Sequence, residues 1–335
     1  MRPPPRPALR LGDVVLLEAP SAHGYAQGLR ALSAEGDALE PALVDLLPVY
    51  EGAQDLLRAE LGLARRMPPD ALAVFAAGSF QDPQGERYHL ARRWLPGVDV
   101  EALLAGLEGV PGALAVEAAA HLGRAFLRAL ERVPLQCHAL PSDLVVGWDG
   151  RVACRAPTFA LERHHDFGPL RWMAPEAIQG QALTQAARAH AAAGLVFVLL
   201  TRRHFVTPAG AGTMDMLLAL LKDAPTPLRA LRPELPTELA RSVDAALARE
   251  PRERPEPSAL DNALARYDSA GARPMLAGLL AALFPQAREE DLAWWEEARC
   301  LDLDQAPRAS VASERAEGNL DLVLKRIQDR NMTLT

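Results

Sequence analysis

Two stretches in the second half of the chain decide the expected fold. Residues 168–176 read GPLRWMAPE, and residues 248–255 read AREPRERP. Between them, residues 194–201 read GLVFVLLT, the end of a strongly apolar segment that begins near Ala186. A segment of this length that is apolar on every side predicts a buried helix. The second half of the chain is therefore expected to be a helical domain built around that helix.

These stretches resemble landmarks of bacterial Ser/Thr protein kinases. Residues 174–176 are similar to the A-P-E signature that ends the activation segment, and residues 248–255 are similar to the closing motif of the family. The resemblance implies that Arg254 and Glu176 form a buried bidentate ion pair. It also implies an α+β, bilobal protein-kinase-like fold. Such a fold has a small β-rich N-terminal lobe with one main helix and a larger helical C-terminal lobe.

Composition and turn signals place the expected boundaries along the chain. The N-terminal lobe is predicted to contain strands at 13–18, 42–49, 71–77 and 87–95 and a helix at 54–67. The predicted segments, in chain order, are a flexible proline-rich arm (1–8), the N-terminal lobe (9–96), the C-terminal lobe (97–267), a helical extension (268–300), an acidic linker (301–318) and an amphipathic tail helix (319–335).

The N-terminal lobe lacks the groups with which kinases hold phosphate. The first lysine of the chain is Lys222, so no lysine can stand on the strand that normally carries one. In the segment 42–47, which resembles that strand, Asp45 takes the lysine position. The segment 18–28 stands where a glycine-rich loop is expected and keeps two glycines at the wrong spacing. We therefore expect no ATP or Mg²⁺ to bind.

The catalytic loop is degenerate in the same way. Residues 140–152 resemble that loop and its following hairpin, with Asp143 at the position of the metal-binding Asn and His138 at the position of the catalytic Asp. Ala156 stands where the metal-binding Asp of D-F-G is expected, and Ala189 where the bracing Asp is expected. No catalytic residue and no metal site are therefore predicted.

The segment 88–97 resembles the approach to the hinge between the lobes. It places Arg92 near the residue that gates the adenine pocket. A guanidinium directed into a normally apolar slot would fill it. Arg92 is therefore a candidate for occluding the nucleotide position.

These features favour a pseudokinase that acts as a signalling scaffold or allosteric module. Its expected partners are other proteins, such as an active kinase or a signalling complex. One alternative is a divergent active kinase or phosphotransferase that uses Asp143 and Asp166 for metal and His138 as base. Another is a passive carrier for the tail helix, whose partner-binding candidates are Leu320, Val323, Leu324 and Ile327.

Composition limits the remaining classes of partner and compartment. A net charge of −7 and a pI near 5.7 argue against a general affinity for nucleic acid or anionic membranes. The N-terminus has no apolar signal core, and the apolar run 191–200 is too short to span a bilayer. Three scattered cysteines predict free thiols. The expected location is the cytoplasm, and the oligomeric state stays open.

Overall fold

The computed structural model describes residues 3–19, 26–34, 39–48, 62, 72, 74–82, 85–108, 110, 114–132, 140–155, 172–182, 184–208, 210, 212–309 and 311–315. The chain divides into two compact units, the first made of residues 1–97 and 285–335 and the second of residues 98–284. The chain therefore passes between the units twice. The architecture is α+β, with an antiparallel sheet in the N-terminal part followed by many helices.

The first unit is built on an antiparallel sheet that contains seven of the described strands. They are β1 (Leu9–Leu11), β2 (Val14–Leu16), β3 (Ala26–Ser33), β4 (Glu40–Pro48), β5 (Val74–Asp82), β6 (Gly85–Arg93) and β10 (Val311–Arg315). Their order across the sheet is β1-β2-β3-β4-β6-β5-β10. The helix α10 (Pro285–Arg299) belongs to the same unit.

The two edges of this sheet are brought together by the segment before β10. The backbone of Arg10 in β1 donates to the carbonyl of Pro307 and accepts from the N–H of Ala309. Two residues later, Val311 is paired with Phe80 in β5. Since two residues of chain reach about 7 Å at most, the sheet curls until its edges nearly meet.

The inner face of the curled sheet is filled with small and branched apolar side chains. In β4 they alternate with outward-facing residues, as the pleat of a strand requires. Small side chains allow the strands of a curled sheet to approach across its interior. The fully buried members of this core are Leu11, Val14, Leu16, Ala31, Ala42, Val44, Leu46, Phe80 and Ala91.

The second unit is mainly helical. Its helices are α1 (Val100–Gly106), α2 (Val116–Arg132), α3 (Pro175–Ile178), α4 (Gln185–Thr201), α5 (Thr213–Lys222), α6 (Leu228–Leu231), α7 (Thr237–Ala246), α8 (Pro257–Ala265) and α9 (Ala272–Leu283). A small sheet contains β7 (Gly97–Asp99), β8 (Leu144–Gly147) and β9 (Val152–Cys154). Short 3₁₀ turns lie at Pro141–Asp143 and Pro251–Glu253.

Helices α2 and α4 form the centre of the second unit's core. The helix predicted near 186–201 spans Gln185–Thr201 and is buried along most of its length. Gly123 in α2 faces Val196 in α4, and a Cβ built at Gly123 would lie 2.2 Å from Val196 Cγ2. The missing side chain therefore lets the two helices pack more closely than any larger residue would allow.

The predicted helical extension, 268–300, is divided between the two units. Helix α9 buries Ala272, Leu276 and Leu280 in the second unit. Helix α10, which begins two residues after α9 ends, buries Trp294 and Trp295 in the first unit. Composition marked both segments as helical, but which core each helix joins depends on tertiary packing.

The segments predicted as an arm and a linker both contain backbone hydrogen bonds. In the arm, the Arg6 N–H donates to the Leu17 carbonyl and the Ala8 N–H donates to the Leu16 carbonyl. Part of the predicted linker, 301–318, forms strand β10. Composition contains no information about which backbone groups find hydrogen-bond partners, so these contacts could not be predicted from it.

Strands β1 and β3 were not predicted; residues 18–28, which include the start of β3, were assigned to a loop. Strands β2, β4, β5 and β6 overlap the segments predicted at 13–18, 42–49, 71–77 and 87–95. The predicted helix at 54–67 lies outside the described residues except for Gly62, and the predicted tail helix at 319–335 lies entirely outside them.

Within the described part of the chain, no helix is long and apolar enough to cross a membrane. Of the described cysteines, Cys154 is buried and Cys300 is exposed.

Candidate functional site

Asp45 lies on the outward face of β4, opposite Leu90 of β6. Its carboxylate accepts two hydrogen bonds, one from Arg92 Nη2 to Oδ2 at 2.5 Å and one from the Gly28 N–H to Oδ1 at 2.8 Å. Arg92 is 3% exposed and Asp45 is 9% exposed. Asp45, the acid at the position where the resemblance expects a lysine, is therefore held in a buried ion pair, in which the positive charge of Arg92 offsets its negative charge.

Arg92 reaches Asp45 because the two residues lie on the same face of adjacent strands. Arg92 is opposite Leu43, which is two residues before Asp45, so all three side chains leave the sheet on one side. Arg92 was predicted near the gate of the adenine pocket, but its pairing with Asp45 was not predicted. The register between β4 and β6 would have indicated this pairing, because it places Arg92 and Asp45 on the same face of the sheet.

The guanidinium of Arg92 is only partly satisfied. Its Nε and Nη1 atoms are buried and have no hydrogen-bond partner among the described residues. Because unsatisfied buried donors carry a desolvation cost, the position of Arg92 depends strongly on Asp45.

Asp143 lies at the end of a 3₁₀ turn, immediately before β8, and its side chain is fully buried. Its Oδ2 accepts from the N–H of Leu140 at 2.8 Å. Arg155 lies beside it, with Arg155 Nε 3.9 Å from Asp143 Oδ1. Arg155 also donates through Nη2 to the carbonyl of Ser142 at 2.8 Å. A cationic side chain therefore stands next to the carboxylate that a metal ion would otherwise need.

The hairpin that follows Asp143 explains why Arg155 is there. Leu144 is paired with Cys154 across β8 and β9, so the next residues outward, Asp143 and Arg155, are brought opposite each other. The Arg155 N–H donates to the Asp143 carbonyl at 2.7 Å, which extends this register by one residue. The hairpin was predicted from the sequence, but the position of Arg155 beside Asp143 was not.

Glu176 and Arg254 form a bidentate ion pair within the second unit. Arg254 Nη1 lies 2.6 Å from Glu176 Oε1, and Arg254 Nη2 lies 2.8 Å from Oε2. The Arg254 side chain is 0% exposed and also donates to the carbonyls of Ala248 and Arg249. The pairing that the kinase resemblance implies is present, and it joins the start of α3 to the turn before α8.

A buried histidine accompanies this pair. His190 in α4 packs against Phe205, with ring centroids 5.3 Å apart. Burial lowers the pKa of His190 well below its usual value, and the positive charge of Arg254 and the nearby His204 lower it further. His190 is therefore held neutral at physiological pH, which avoids a second positive charge beside Arg254.

The remaining predicted site residues separate into two groups. Ala189 is described and is 0% exposed within α4, where it offers no polar group. The others lie outside the described residues, and they are His138, Ala156, Asp166, Leu320, Val323, Leu324 and Ile327. In the part of the chain that the structure describes, no group of three or more His, Cys, Asp or Glu side chains is arranged to hold a metal ion.

Comparisons with known protein families and curated proteins give no independent evidence about the function of these residues. No protein-family model matches the chain, and no curated protein is detectably similar to it in sequence.

Proposed function

We propose that this chain is a pseudokinase, a protein of bilobal protein-kinase-like fold that acts as a signalling scaffold or allosteric interaction module without transferring phosphate. The observation that carries this proposal is the buried pair of Asp45 and Arg92. At the position where the kinase resemblance expects a lysine free to meet phosphate, the chain has a carboxylate whose two oxygens are already engaged.

The environment of Asp143 supports the same proposal. A magnesium ion takes oxygen ligands in a nearly octahedral arrangement and needs more than one site on the protein or substrate. Asp143 has one oxygen engaged by the Leu140 N–H and the other close to the Arg155 guanidinium. A divalent cation bound to Asp143 would lie close to a fixed positive charge, which disfavours its binding.

Two further features are consistent with the kinase-like part of the proposal. An antiparallel sheet precedes a helical unit along the chain, in the order that the resemblance implies. The Glu176–Arg254 pair has the bidentate geometry expected of the A-P-E glutamate and the closing-motif arginine. These features support a preserved frame, whereas Asp45 and Asp143 support the loss of phosphoryl transfer.

The alternative of a divergent phosphotransferase requires Asp143 to act as a metal ligand. The hydrogen bond from Leu140 and the proximity of Arg155 argue against that role. We therefore propose the non-catalytic function alone.

Thermal unfolding with and without ATP and Mg²⁺ tests the nucleotide-free part of the proposal. A ligand at about 100 times its Kd raises the free energy of unfolding by about 2.7 kcal/mol, a change that thermal unfolding resolves readily. We expect no shift beyond that caused by Mg²⁺ alone. A saturable shift that requires both ATP and Mg²⁺ would contradict it.

A transfer assay with labelled ATP tests the loss of catalysis independently. We expect no label on the chain or on a general protein substrate, at the level of a sample without protein. Transfer that is abolished by Asp143→Asn would instead establish an active enzyme. An active kinase assayed in parallel is the positive control.

The interaction part of the proposal requires a defined protein partner in the cytoplasm. We expect such a partner, once purified, to bind this chain with the same Kd in the presence and absence of ATP and Mg²⁺. Binding that appears only when nucleotide is present would contradict a nucleotide-independent scaffold.

A further inference from the structure

Helix α10 covers part of the outward face of the sheet in the first unit. The apolar residues of that face on β2 and β3 are Val15 and Leu32, which lie opposite each other in the strand register, together with Leu17. They are at most 1% exposed and pack with Trp294, Trp295 and Ala298 of α10. The helix therefore occupies a continuous apolar strip that the two strands present.

A single arginine fixes the helix on this strip. Arg30 in β3 places its guanidinium carbon 4.5 Å from the ring centroid of Trp294 and 5.2 Å from that of Trp295. Its Nη2 atom lies 2.5 Å from Asp291 Oδ1, with both side chains largely buried. Asp291, Trp294 and Trp295 share one side of the helix because their spacing is three and four residues. We call these four residues the Arg30 clamp.

The contact between helix and sheet is incompletely satisfied. Three donor atoms of these residues and of the helix are buried and have no hydrogen-bond partner among the described residues: Arg30 Nη1, Trp295 Nε1 and Arg288 Nε. The Arg30 and Trp295 donors, which lie at this contact, lose their hydration on docking without gaining a replacement, and this weakens the docked state. The opposite side of α10 carries exposed acidic residues, including Glu289, Glu290, Glu296 and Glu297. These keep the helix compatible with water when it is released.

The covered strip adjoins the Asp45–Arg92 pair in the strand register. Leu43 of β4 lies opposite Arg30 on β3 and opposite Arg92 on β6. The two arginines therefore belong to one row across three strands, and one pairs with α10 while the other pairs with Asp45.

We propose that this sheet face is an exchangeable helix-binding surface that α10 occupies in cis. The partner it accepts in exchange is an amphipathic helix of the same chemistry, with a carboxylate followed three and four residues later by aromatic side chains. The carboxylate pairs with Arg30, the rings stack on its guanidinium, and the apolar strip buries the rest. This proposal rests on the interaction role proposed above and is independent of whether the chain transfers phosphate.

Hydrogen exchange on the unaltered full-length chain tests whether α10 is released. We expect the amides of α10 to exchange at least about tenfold faster than the central amides of β4 and β6, through an opening smaller than global unfolding. If both sets exchange at the same rate and with the same denaturant dependence, α10 is a fixed part of the unit and the proposal is wrong.

Binding of a labelled peptide with the sequence of residues 285–309 tests the exchange directly. The full-length Trp294→Ala chain has a weakened cis helix and an intact sheet face, so we expect it to bind the peptide at least about tenfold more tightly than the unaltered chain does. Adding Arg30→Ala to that chain is expected to abolish the gain. A peptide with Asp291→Asn should bind more weakly, whereas a peptide with Glu296→Gln, changed on the exposed side, should bind as the original does.

Two peptide results would overturn the proposal. One is the absence of binding to a Trp294→Ala chain whose sheet amides remain protected. The other is equal binding to chains with and without Arg30. If Trp294→Ala does not fold, the exchange experiment on the unaltered chain still decides the matter. Detection of ATP binding would contradict the nucleotide-free function but would leave both of these results unchanged.

Discussion

Arg92 and Asp45 are joined across two neighbouring strands, with Arg92 Nη2 2.5 Å from Asp45 Oδ2 and both side chains largely buried. The sequence indicated an unfavourable negative charge facing phosphate. The structure instead gives that charge a partner within the same sheet. The contribution of each residue to the stability of the fold therefore depends on the other, because a buried charge without a partner costs far more free energy than a buried ion pair.

The first prediction concerns this pair. Arg92→Leu or Asp45→Leu alone should lower the free energy of unfolding by about 3–5 kcal/mol, since each leaves one buried charge without its partner. The double variant should unfold within about 1 kcal/mol of the unaltered chain, or be more stable, because neither charge remains to be desolvated. Urea unfolding of the four proteins measures this coupling.

A loss in the double variant equal to the sum of the losses in the two single variants would show that the pair carries no coupling energy. Arg241→Leu serves as the control, because Arg241 and its partner Glu238 have side chains that are 73% and 53% exposed. Such a pair is worth well under 1 kcal/mol.

The second prediction concerns Glu176 and Arg254. Arg254→Met should destabilise the second unit by about 3–5 kcal/mol, because it leaves the Glu176 carboxylate buried without its two donors. Arg254→Lys should recover only part of the loss, since a single ammonium cannot reproduce the two parallel bonds. Denaturant unfolding measured on α-helical circular dichroism reports this unit. A loss in Arg254→Met no larger than that in Arg241→Leu would contradict the prediction.

The third prediction concerns pH. His89 lies on the inner face of the sheet near Phe80, its two ring nitrogens have no partner among the described residues, and burial lowers its pKa from 6.5 to about 4. In the unfolded chain His89 takes up a proton near pH 6.5, whereas in the folded chain it does so only near pH 4. The stability that this group contributes is therefore present above about pH 6.5 and is lost as the pH falls to about 4, by about 3 kcal/mol.

His89→Leu checks this assignment because leucine fills a similar volume without titrating. The variant should lose less stability than the unaltered chain when urea unfolding is compared at pH 7 and pH 4.5. At pH 7 it should be as stable or more stable by about 1 kcal/mol, since two unsatisfied buried ring nitrogens are removed. Identical pH profiles for the two proteins would rule out His89 as a source of the acid sensitivity.

The fourth prediction concerns a close backbone contact. Gly150, in the turn between β8 and β9, has φ of +77°, and a Cβ placed there would lie 2.0 Å from the carbonyl oxygen of Arg273 in α9. Gly150→Ala should therefore destabilise the second unit through both the left-handed backbone and displacement of α9. Gly180 has φ of +74° and no atom within 4 Å of the added Cβ, so Gly180→Ala isolates the backbone effect, about 1–2 kcal/mol.

Urea unfolding of the two alanine variants separates these contributions. We expect Gly150→Ala to lower the free energy of unfolding by at least about 1 kcal/mol more than Gly180→Ala does. Forcing an added methyl group against a neighbouring backbone usually costs at least that much. Equal losses of unfolding free energy in the two variants would mean that α9 shifts away from the added Cβ without an energetic cost.

The sequence predicted the α+β class and several of the strands and helices because local patterns carry that information. The apolar run near α4 and the alternating runs of β4 and β6 identify their elements from residue spacing alone. Strand β3 was missed because its residues, AQGLRALS, include a glycine and no sustained alternation of apolar and polar types. Pairing with β4 supplies the hydrogen bonds that its local sequence does not encode.

By itself, the sequence determined which charges exist: no lysine before Lys222, acids at Asp45 and Asp143, and a glutamate and an arginine at 176 and 254. Only the tertiary structure decided how those charges are compensated, through Arg92 beside Asp45 and Arg155 beside Asp143. It also decided that α10 packs in the first unit, with Arg30 against Trp294. Composition fixes the number of charges, but their energies depend on distance and burial, which arise only when remote segments of the chain are brought together.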